Sequence, residues 1–506
     1  MTSPDDRKRR GQFFTPAGVA NFMAGLCSTF PRRLAVVDPG AGSGTLSAAV
    51  CERILRLRSP RHVDFQLFEN DAALASLLEE NMQHCRSALK QAGHTVVYTI
   101  HPEDFIFSNS HVFGQHTLFA TSTQTNEFDL AIMNPPYFKI AGNSAYARIM
   151  DRIVHGQPNI YALFMALGAQ MLKAGGELIA ITPRSFCNGL YFRGFRRWFF
   201  KRMSLRHIHL FESRTDTFPG GKVLQENVIT MTQKVQTPST NVAITTSYGC
   251  DIANMPSSRT MPTRRILDNT TPEMMVRIPQ DAEDGRILDL VEAWPNRFAD
   301  LGLRVSTGPV VMFRTKRFLL GSVDAQHGAP LLSVHNVRPF EAAWPINKKN
   351  KPTAFRICPE SLSRRLLLPT RNYVLLRRFS AKEERRRLTA CCFLKTREVS
   401  QYVALENHLN YVYHADRELT DEEVYGLTAL FNSALMDRYF RMISGNTQVN
   451  ATELRTMNLP DLRTISQIGK RVRQLSDFTS AKVEHIVLAE LGVAGALERH
   501  LTELAL

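Results

Sequence analysis

The chain has 506 residues, 44% of them hydrophobic, which allows two to four domains of about 100 to 200 residues; we expect two. No stretch approaches the roughly 18 uninterrupted apolar residues of a membrane span, and the N-terminus lacks a signal-peptide core, so we expect a cytoplasmic protein without a membrane partner. The net charge of +15 favours a polyanionic partner. The eight scattered cysteines show no ligand spacing, and we expect neither disulfides nor a metal.

Short β-branched runs alternate with amphipathic stretches through the first half of the chain. The runs cover residues 34–38, 65–69, 96–100, 129–134 and 177–182. The amphipathic stretches cover 45–58, 72–90, 159–173 and 192–201. This alternation predicts an α/β fold with a mostly parallel sheet and helices on both faces. Two further runs, 206–211 and 227–234, predict an antiparallel hairpin at the sheet edge.

The rhythm of the sequence changes after about residue 236. The passages QTPSTNVAITTS and MPSSRTMPT are rich in Thr, Ser and Pro, as linkers are. We therefore predict a first domain at 1–240, a connecting segment at 241–290 and a mixed α+β domain at 291–506. Helical patterns at 421–442 and 480–505 end the chain.

A glycine-rich turn, DPGAGSG, follows the first predicted strand and precedes a helix. Its residues Asp38, Gly40, Gly42 and Gly44 allow a tight turn and leave room for a ligand at the helix N-terminus. The glycine spacing G-x-G-x-G differs from the dinucleotide fingerprint, and no Lys-Ser/Thr pair of a phosphate-binding loop follows. Neither NAD nor ATP is favoured.

Carboxylates stand at the ends of the next two predicted strands. Glu69 is expected to accept hydrogen bonds from ribose hydroxyls, although a surface glutamate is the plainer alternative. Asp104 is placed to accept from an adenine amino group, and Phe105 to cover the ring. With the glycine turn, these residues predict an adenosine pocket without phosphates. That combination points to S-adenosylmethionine as cofactor, with S-adenosylhomocysteine as product.

The fourth predicted strand ends in Asn134-Pro135-Pro136-Tyr137, where doubly wound folds keep their active sites. The Asn134 side-chain oxygen and the Pro135 carbonyl can accept the two hydrogens of an aromatic amine, which draws the nitrogen lone pair out of the ring. Tyr137 would stack on the planar substrate. The nitrogen then attacks the methyl group in line, without a covalent enzyme nucleophile. The alternative is a Pro-Pro turn with a structural role.

The motif order GQFFTP (11–16), DPGAGSG (38–44), FEND (68–71) and NPPY (134–137) resembles the gamma-class amino-methyltransferases of bacterial restriction-modification systems, the TaqI-like and PstI-like modification enzymes. The resemblance covers residues 7–235 well and the remainder loosely. It implies a class I, Rossmann-like S-adenosylmethionine-dependent methyltransferase domain with a seven-stranded sheet. It also implies site-specific methylation of adenine N6 in DNA, with the base flipped out of the duplex. Three residues, Phe14, Thr15 and Pro16, would contact the methionine end of the cofactor, Asn134 would line its site, and Phe218 would cover the second face of the base.

By the same resemblance, we expect the second domain to be a target-recognition domain that binds double-stranded DNA. Arginines interleave there with aromatic residues, a composition suited to phosphate contact and groove readout, although a solvated charged face is the plainer alternative. The DNA-binding candidates are Arg314, Arg371, Arg377, Arg378, Asn446 and Gln448. We expect a bacterial cytoplasmic monomer that is either an orphan enzyme or acts beside a separate cognate restriction endonuclease.

Other functions share parts of this pattern. Protein glutamine methyltransferases and RNA methyltransferases also use the NPPY chemistry, but the more than 200 residues after the motifs favour DNA. Cytosine C5 methylation is rejected because no cysteine follows a proline, whereas cytosine N4 methylation stays a minor alternative. A DNA-binding specificity module without activity is the non-enzyme alternative, and intact acceptor and cofactor residues disfavour it.

Overall fold

The computed structural model describes most of the chain. The described residues are 14–113, 127–150, 153, 159–211, 227–235, 237–247, 249, 252, 257–268, 271, 273–321, 328–346, 351–357, 365–380, 384–395, 400–444 and 448–505. The chain divides into two units, Met1–Arg277 and Ile278–Leu506. Within the described ranges, every helix is too short or too polar to cross a membrane.

The first unit alternates helices and strands. Its helices are α1 (Ala17–Leu26), α2 (Thr45–Leu55), α3 (Ala72–Gln91), α4 (Phe105–Ser108), α5 (Ala145–Ile149), α6 (Tyr161–Met171), α7 (Arg193–Phe200) and α8 (Thr263–Ile266). Its strands are β1 (Arg33–Asp38), β2 (His62–Phe68), β3 (Thr95–His101), β4 (Phe128–Met133), β5 (Leu172–Pro183), β6 (Ser204–Phe211), β7 (Asn227–Gln233), β8 (Asn241–Ser247) and β9 (Ser257–Pro262).

These strands form one sheet in the order β3-β2-β1-β4-β5-β7-β6-β8-β9. The five strands from β3 to β5 are parallel, and β7 is antiparallel to both β5 and β6. The sheet therefore has nine strands, where seven were predicted. The predicted hairpin of β6 and β7 is an antiparallel pair, but β8 and β9 extend the sheet beyond it. Part of the predicted connecting segment, 241–290, is thus sheet, because its alternating apolar residues Val242 and Ile244 are fully buried.

Both faces of the parallel strands are covered, which explains their nearly continuous apolar sequences. Val36, Leu130 and Ile179 belong to a buried cluster with the apolar side chains of α1 and α2. The opposite face approaches α6 so closely that a Cβ on Gly168 would lie 2.8 Å from Met133 Cε. The carboxyl ends of β1 to β4 are consequently held at one edge of the sheet, where loops can build a site.

A buried histidine pair connects the added strand β8 to β6. His209 Nδ1 and His207 Nε2 each lie 2.8 Å from Thr245 Oγ1, and His209 Nε2 lies 3.0 Å from Ser247 Oγ. The ring of Phe22 packs 4.5 Å from that of His209. Burial lowers the pKa of His207 to about 4 and, with help from the neighbouring histidine, that of His209 to about 3. Both imidazoles are therefore neutral in the folded protein near pH 7.

Acid is expected to destabilise the first unit through this pair. Below about pH 6.5 the unfolded chain binds protons that the folded chain excludes, so the free energy of unfolding falls by up to about 1.4 kcal/mol per pH unit for each histidine. His209→Asn cannot titrate and should show a fall that is shallower by about that amount between about pH 6.5 and 5. Urea denaturation across this range measures both slopes, and equal slopes would contradict the prediction.

The second unit combines small sheets with a helical layer. Its helices are α9 (Ala282–Glu292), α10 (Asp421–Asn432), α11 (Ala434–Ile443), α12 (Ala451–Thr456), α13 (Leu462–Val472), α14 (Ser480–Glu490) and α15 (Ala496–Ala505). Its strands are β10 (Asn296–Arg297), β11 (Leu303–Thr307), β12 (Leu319–Leu320), β13 (Gly328–Leu332), β14 (Ala354–Arg356), β15 (Leu367–Pro369), β16 (Tyr373–Arg377), β17 (Ala390–Phe393), β18 (Tyr402–Leu405), β19 (Leu409–His414) and β20 (Asn458–Leu459).

These strands pair as β10-β20, as β11-β19-β16-β17 and as β12-β14-β13-β18-β15. The two predicted terminal helices are each broken in two. Ser433 separates α10 from α11 because its hydroxyl accepts a hydrogen bond from Met436 N and caps the second helix. Gly492 and Gly495 adopt positive φ angles of 67° and 76° between α14 and α15, a conformation that ends a helix.

Candidate active site

A cavity of about 600 Å³ lies at the carboxyl ends of β1 to β4. Ligands bind at this edge in open α/β sheets, because strand ends and helix N-termini converge there. The sequence predicted eight of the lining residues: Phe14, Gly40, Gly42, Glu69, Asp104, Phe105, Asn134 and Pro136. The fold thus brings four separate motifs to one cavity.

Asp38 and Gly44 shape the glycine turn from behind and do not line the cavity. The Asp38 carboxyl is fully buried and accepts a hydrogen bond from Ser47 Oγ at 2.8 Å, and burial raises its pKa to about 7. Gly44 has a φ of 85°, and a Cβ there would lie 2.8 Å from Leu78 Cδ1. Both residues support the turn in this structure, and their contact with the cofactor stays a prediction.

Glu69 presents a fixed carboxylate to the cavity. Its Oε2 accepts from Gly42 N at 2.9 Å and its Oε1 from Asp71 N at 2.8 Å. These two bonds set the plane of the carboxylate, while each oxygen retains capacity for another donor. Burial raises the pKa of Glu69 against the effect of these backbone donors. Such an arrangement suits a ligand with neighbouring hydroxyl groups.

Asp104 caps the short helix α4. Its Oδ1 accepts from Ile106 N at 2.9 Å and from Phe107 N at 3.0 Å, and its Oδ2 accepts from the Tyr146 hydroxyl at 2.8 Å. Burial, followed by the hydrogen bond to Asp104, raises the pKa of Tyr146, so this side chain stays a neutral donor. The capping bonds hold the carboxylate at the cavity, where an amino group can reach its remaining lone pairs.

Aromatic rings form much of the wall. The Phe105 ring lies 5.0 Å from that of Phe68 and 5.3 Å from that of Phe164, and Phe14 adds a partly exposed ring from the N-terminal segment. Sequence reasoning missed Phe68, Phe164 and Tyr146. Phe68 directly precedes Glu69 and was open to prediction by position, whereas the apolar helix around Phe164 gives no signal of a site.

Asn134 is held by two side chains, one from the N-terminal segment and one from its own motif. Its Nδ2 donates to Thr15 Oγ1 at 3.0 Å, and its Oδ1 accepts from the Tyr137 hydroxyl at 2.7 Å. In this orientation Oδ1 is the acceptor end of the amide. Thr15 therefore contacts the NPPY motif, and Pro16 precedes α1, where its carbonyl accepts from Ala20 N.

The remaining NPPY residues differ in exposure. Pro135 is buried and Pro136 lines the cavity. The Tyr137 side chain is 7% exposed, lies edge-on to Tyr161 with ring centroids 6.2 Å apart, and does not line the cavity. Its hydroxyl also lies 2.9 Å from the carbonyl oxygen of Ile181, and burial raises its pKa, so it stays protonated.

The predicted DNA-binding residues occupy different positions in the second unit. Arg371 lies over the Tyr413 ring, 4.7 Å from its centroid, and Arg377 donates two hydrogen bonds to the carbonyl of Val337. Both guanidinium groups take part in packing within the second unit, and their contact with DNA stays a prediction. Three others, Arg314, Arg378 and Gln448, lie near one end of the four-stranded sheet.

Phe218 and Asn446 lie outside the described residues. Within the described part of the chain, no three His, Cys, Asp or Glu side chains are grouped as metal ligands would be.

Comparison with known proteins places the chain among restriction-modification enzymes. Residues 61–218 match the Eco57I restriction-modification methylase family. The chain is 30% identical over 482 residues to the type II methyltransferase M.PstI of Providencia stuartii, covering 95% of this chain and 92% of the relative. It is 34% identical over 499 residues to the type II methyltransferase M.BsuBI of Bacillus subtilis, covering 97% and 96% respectively.

The fold is similar to that of the type IIL restriction-modification enzyme MmeI, whose structure was solved in complex with DNA. The TM-score is 0.54, with 11% identity, over 96% of this chain and 73% of that one. At this identity the likeness concerns the fold alone. The two type II methyltransferases, in contrast, align over both units at 30% and 34% identity. The chain therefore belongs to the type II methyltransferase family of restriction-modification enzymes, as its motif order predicted.

Proposed function

We propose that the chain transfers a methyl group from S-adenosylmethionine to the N6 amine of an adenine flipped out of a short double-stranded DNA sequence. The observation that carries this proposal is the amide of Asn134, which lines the cavity and is held there by hydrogen bonds to Thr15 and Tyr137. A monomeric state and a separate partner endonuclease remain predictions of the same proposal.

The residues of the cavity fit the proposed cofactor. Glu69 offers lone pairs to two ribose hydroxyls, Asp104 accepts from an adenine amino group, and Phe105 covers an adenine face. Phe14 lies where the N-terminal segment reaches the cavity. When bound, S-adenosylmethionine supplies an electrophilic methyl group on its sulfonium.

Asn134 and Pro135 would activate the substrate amine by accepting its two hydrogens. The Asn134 oxygen has two acceptor sites, and the Tyr137 hydroxyl occupies one of them. The second acceptor site is left for a hydrogen of the substrate amine. The fixed dipoles need no reorganisation as charge develops, which is how such a site accelerates a reaction.

Thr15→Val is expected to lower the single-turnover rate of methyl transfer about tenfold. Loss of the acceptor for Asn134 Nδ2 costs about 1 kcal/mol and lets the amide rotate, which presents its NH2 end to the substrate amine. Thr15→Ser keeps the hydroxyl and should retain the rate. Calorimetric affinity for the cofactor should change little in either variant; a large loss in Thr15→Val would instead assign Thr15 to cofactor binding.

Tyr137 holds Asn134 through its hydroxyl and is proposed to stack on the base through its ring, and substitutions can separate these two roles. Stacking on the base requires the Tyr137 ring, which is buried in this structure, to turn toward the cavity. Tyr137→Ala should then weaken the extruded state by about 1 to 3 kcal/mol, the usual contribution of one base stack. Tyr137→Phe keeps the ring and should preserve extrusion. Fluorescence of 2-aminopurine at the target position reports extrusion, and an unchanged signal in the alanine variant would rule out stacking by Tyr137.

The proposed function is tested with purified protein, labelled S-adenosylmethionine and unmethylated bacterial genomic DNA, followed by single-molecule sequencing. N6-methyladenine confined to one short motif would support the proposal and define the site. Methylcytosine would move the assignment to cytosine N4. Label in RNA or protein but not DNA would retain the cofactor assignment and overturn the substrate. Cofactor binding without transfer to any of these would indicate a specificity module.

A further inference from the structure

Three loops of the second unit meet at one end of the sheet β11-β19-β16-β17. β11 ends there at Thr307, β16 ends there at Arg377, and β19 begins there at Leu409. We call this region the aromatic end; it comprises residues 308–317, 378–379, 407–408 and 448. Its members Arg314, Arg378 and Gln448 are far apart in sequence, and the fold brings their segments to this end of the sheet.

Backbone hydrogen bonds hold these loops together. Gly308 N donates to Leu409 O at 2.9 Å, Asn407 N to Val310 O at 2.8 Å, and Arg378 N to His408 O at 2.9 Å. A Cβ on Gly308 would lie 2.2 Å from the carbonyl oxygen of Glu406, so only glycine permits this approach. Gln448 joins through a bridge to Phe379. These contacts hold the backbone of the aromatic end in one conformation.

Two phenylalanines project from it. The Phe313 side chain is 70% exposed and that of Phe379 is 41% exposed. Single exposed apolar residues are ordinary on protein surfaces, but these two share one end of one sheet. Phe313 lies between buried neighbours along the chain, since Val310, Thr315 and Phe318 anchor its loop. Its exposure is thus imposed by the loop conformation.

Basic residues neighbour both phenylalanines along the chain. Arg314 lies over the Phe313 ring, 5.3 Å from its centroid, and Lys316 and Arg317 are exposed in the same loop. Arg378 precedes Phe379 and is half-buried, with its Nη1 donating to the carbonyl of Asn407 at 3.0 Å. Among the described residues no carboxylate forms an ion pair with Arg314, Lys316 or Arg378.

His408 completes the surroundings of Phe379. The His408 ring meets the Phe379 ring edge-on, with centroids 4.8 Å apart. Glu406 is the carboxylate of the neighbouring turn, and it is paired with His408 Nδ1 at 3.0 Å. The partner that fits such a surface carries both repeated negative charge and flat apolar faces.

We propose that the aromatic end contacts duplex DNA, with Arg314, Lys316 and Arg378 on phosphates and Phe313 stacked against a base or inserted at a base step. This inference rests on the proposed function and adds to it a binding surface and a residue, Phe313, that stabilises the deformed duplex. Phosphate contacts position a duplex, and an inserted apolar ring favours sequences that unstack easily. Phe313 thereby contributes to choice of the site as well as to affinity.

The test measures binding of an unmethylated duplex of about 30 base pairs, centred on the motif that sequencing defines, between about 50 and 200 mM salt. Phe313→Ala is expected to weaken binding about 5- to 100-fold without changing the salt dependence, because stacking releases no counterions. Arg314→Gln should reduce the slope of log affinity against log salt by about 0.9. Phe313→Trp should restore affinity. Tyr402→Ala, at the opposite end of β18, removes another exposed aromatic ring and should match the wild type.

The outcomes separate the two proposals. If the wild-type protein methylates no DNA, the proposed function fails before this test begins. If it methylates and binds its motif, but Phe313→Ala and Arg314→Gln bind like the wild type, the aromatic end is not the DNA surface. If Phe313→Trp falls as far as Phe313→Ala, stacking by this residue is contradicted. Loss of affinity in Phe313→Ala, its recovery in Phe313→Trp and a smaller salt slope in Arg314→Gln support the inference.

Discussion

Asn134→Ala is expected to lower the rate of methyl transfer by more than about a hundredfold while cofactor binding survives. The substitution removes a fixed acceptor dipole aimed at the amine, and loss of one such group typically costs about 2.7 to 4 kcal/mol in the transition state. The cavity residues on the cofactor side, Glu69 and Asp104, keep their own backbone donors in this variant. Single-turnover kinetics with saturating DNA measures the rate, and calorimetry measures the affinity for S-adenosylmethionine.

Two further variants test whether the effect is specific to the amide of Asn134. Asn134→Asp keeps an acceptor oxygen but loses the donor to Thr15, so its rate should fall between those of the alanine variant and the wild type. Asn241→Ala removes an exposed asparagine at the start of β8 and should leave the rate unchanged. Full activity in Asn134→Ala would overturn the proposed activation of the amine.

The parallel strands of the first unit and the helices between them were predictable because β-branched runs and amphipathic stretches alternate regularly along the sequence. Each predicted run and amphipathic stretch from 34–38 to 192–201 coincides with a strand or helix to within a few residues. The two added strands were missed because β8 and β9 lie in passages rich in Thr, Ser and Pro, a composition typical of linkers. Pairing with β6 overrides that composition by burying Val242 and Ile244.

The site residues were predictable where a polar side chain follows a predicted strand, because the strand end gives its place in the fold and the side chain gives its chemistry. Glu69 and Asp104 follow strands directly, and the structure places both at the cavity. The contact between Thr15 and Asn134 was not predictable from spacing, since 119 residues separate them and only the closed fold joins them. Tyr146 was missed for the same reason: its role depends on reaching Asp104 across 42 residues.

The predicted DNA-binding arginines show a different limit of prediction from sequence. A composition rich in arginine predicts a polyanionic partner, but it does not distinguish a guanidinium that meets solvent from one that supports packing. Arg377 and Arg378 are neighbours in sequence, and each donates to a backbone carbonyl, Arg377 to that of Val337 and Arg378 to that of Asn407. These partners lie in loops far from both arginines in sequence, so they can be read only once the fold is known.

Glu69→Ala is expected to weaken binding of S-adenosylmethionine about a hundredfold or more. Each hydrogen bond from a hydroxyl to a charged carboxylate contributes roughly 1.5 to 3 kcal/mol, and two such bonds are proposed. Removal of the carboxylate also leaves the N–H groups of Gly42 and Asp71 without their acceptor, which loosens the turn. Calorimetry on the purified protein measures the change.

The same carboxylate should give cofactor binding a pH dependence. Burial raises the pKa of Glu69, so the charged acceptor is present above that pKa and is lost at a higher pH than for an exposed glutamate. Wild-type affinity should therefore fall as the pH is lowered, and the fall should begin at a higher pH than an exposed glutamate would give. Asp38 titrates near pH 7 behind the turn, and Glu69→Ala retains Asp38. A residual dependence in that variant belongs to Asp38, and an undiminished one would show that Glu69 does not bind the ribose.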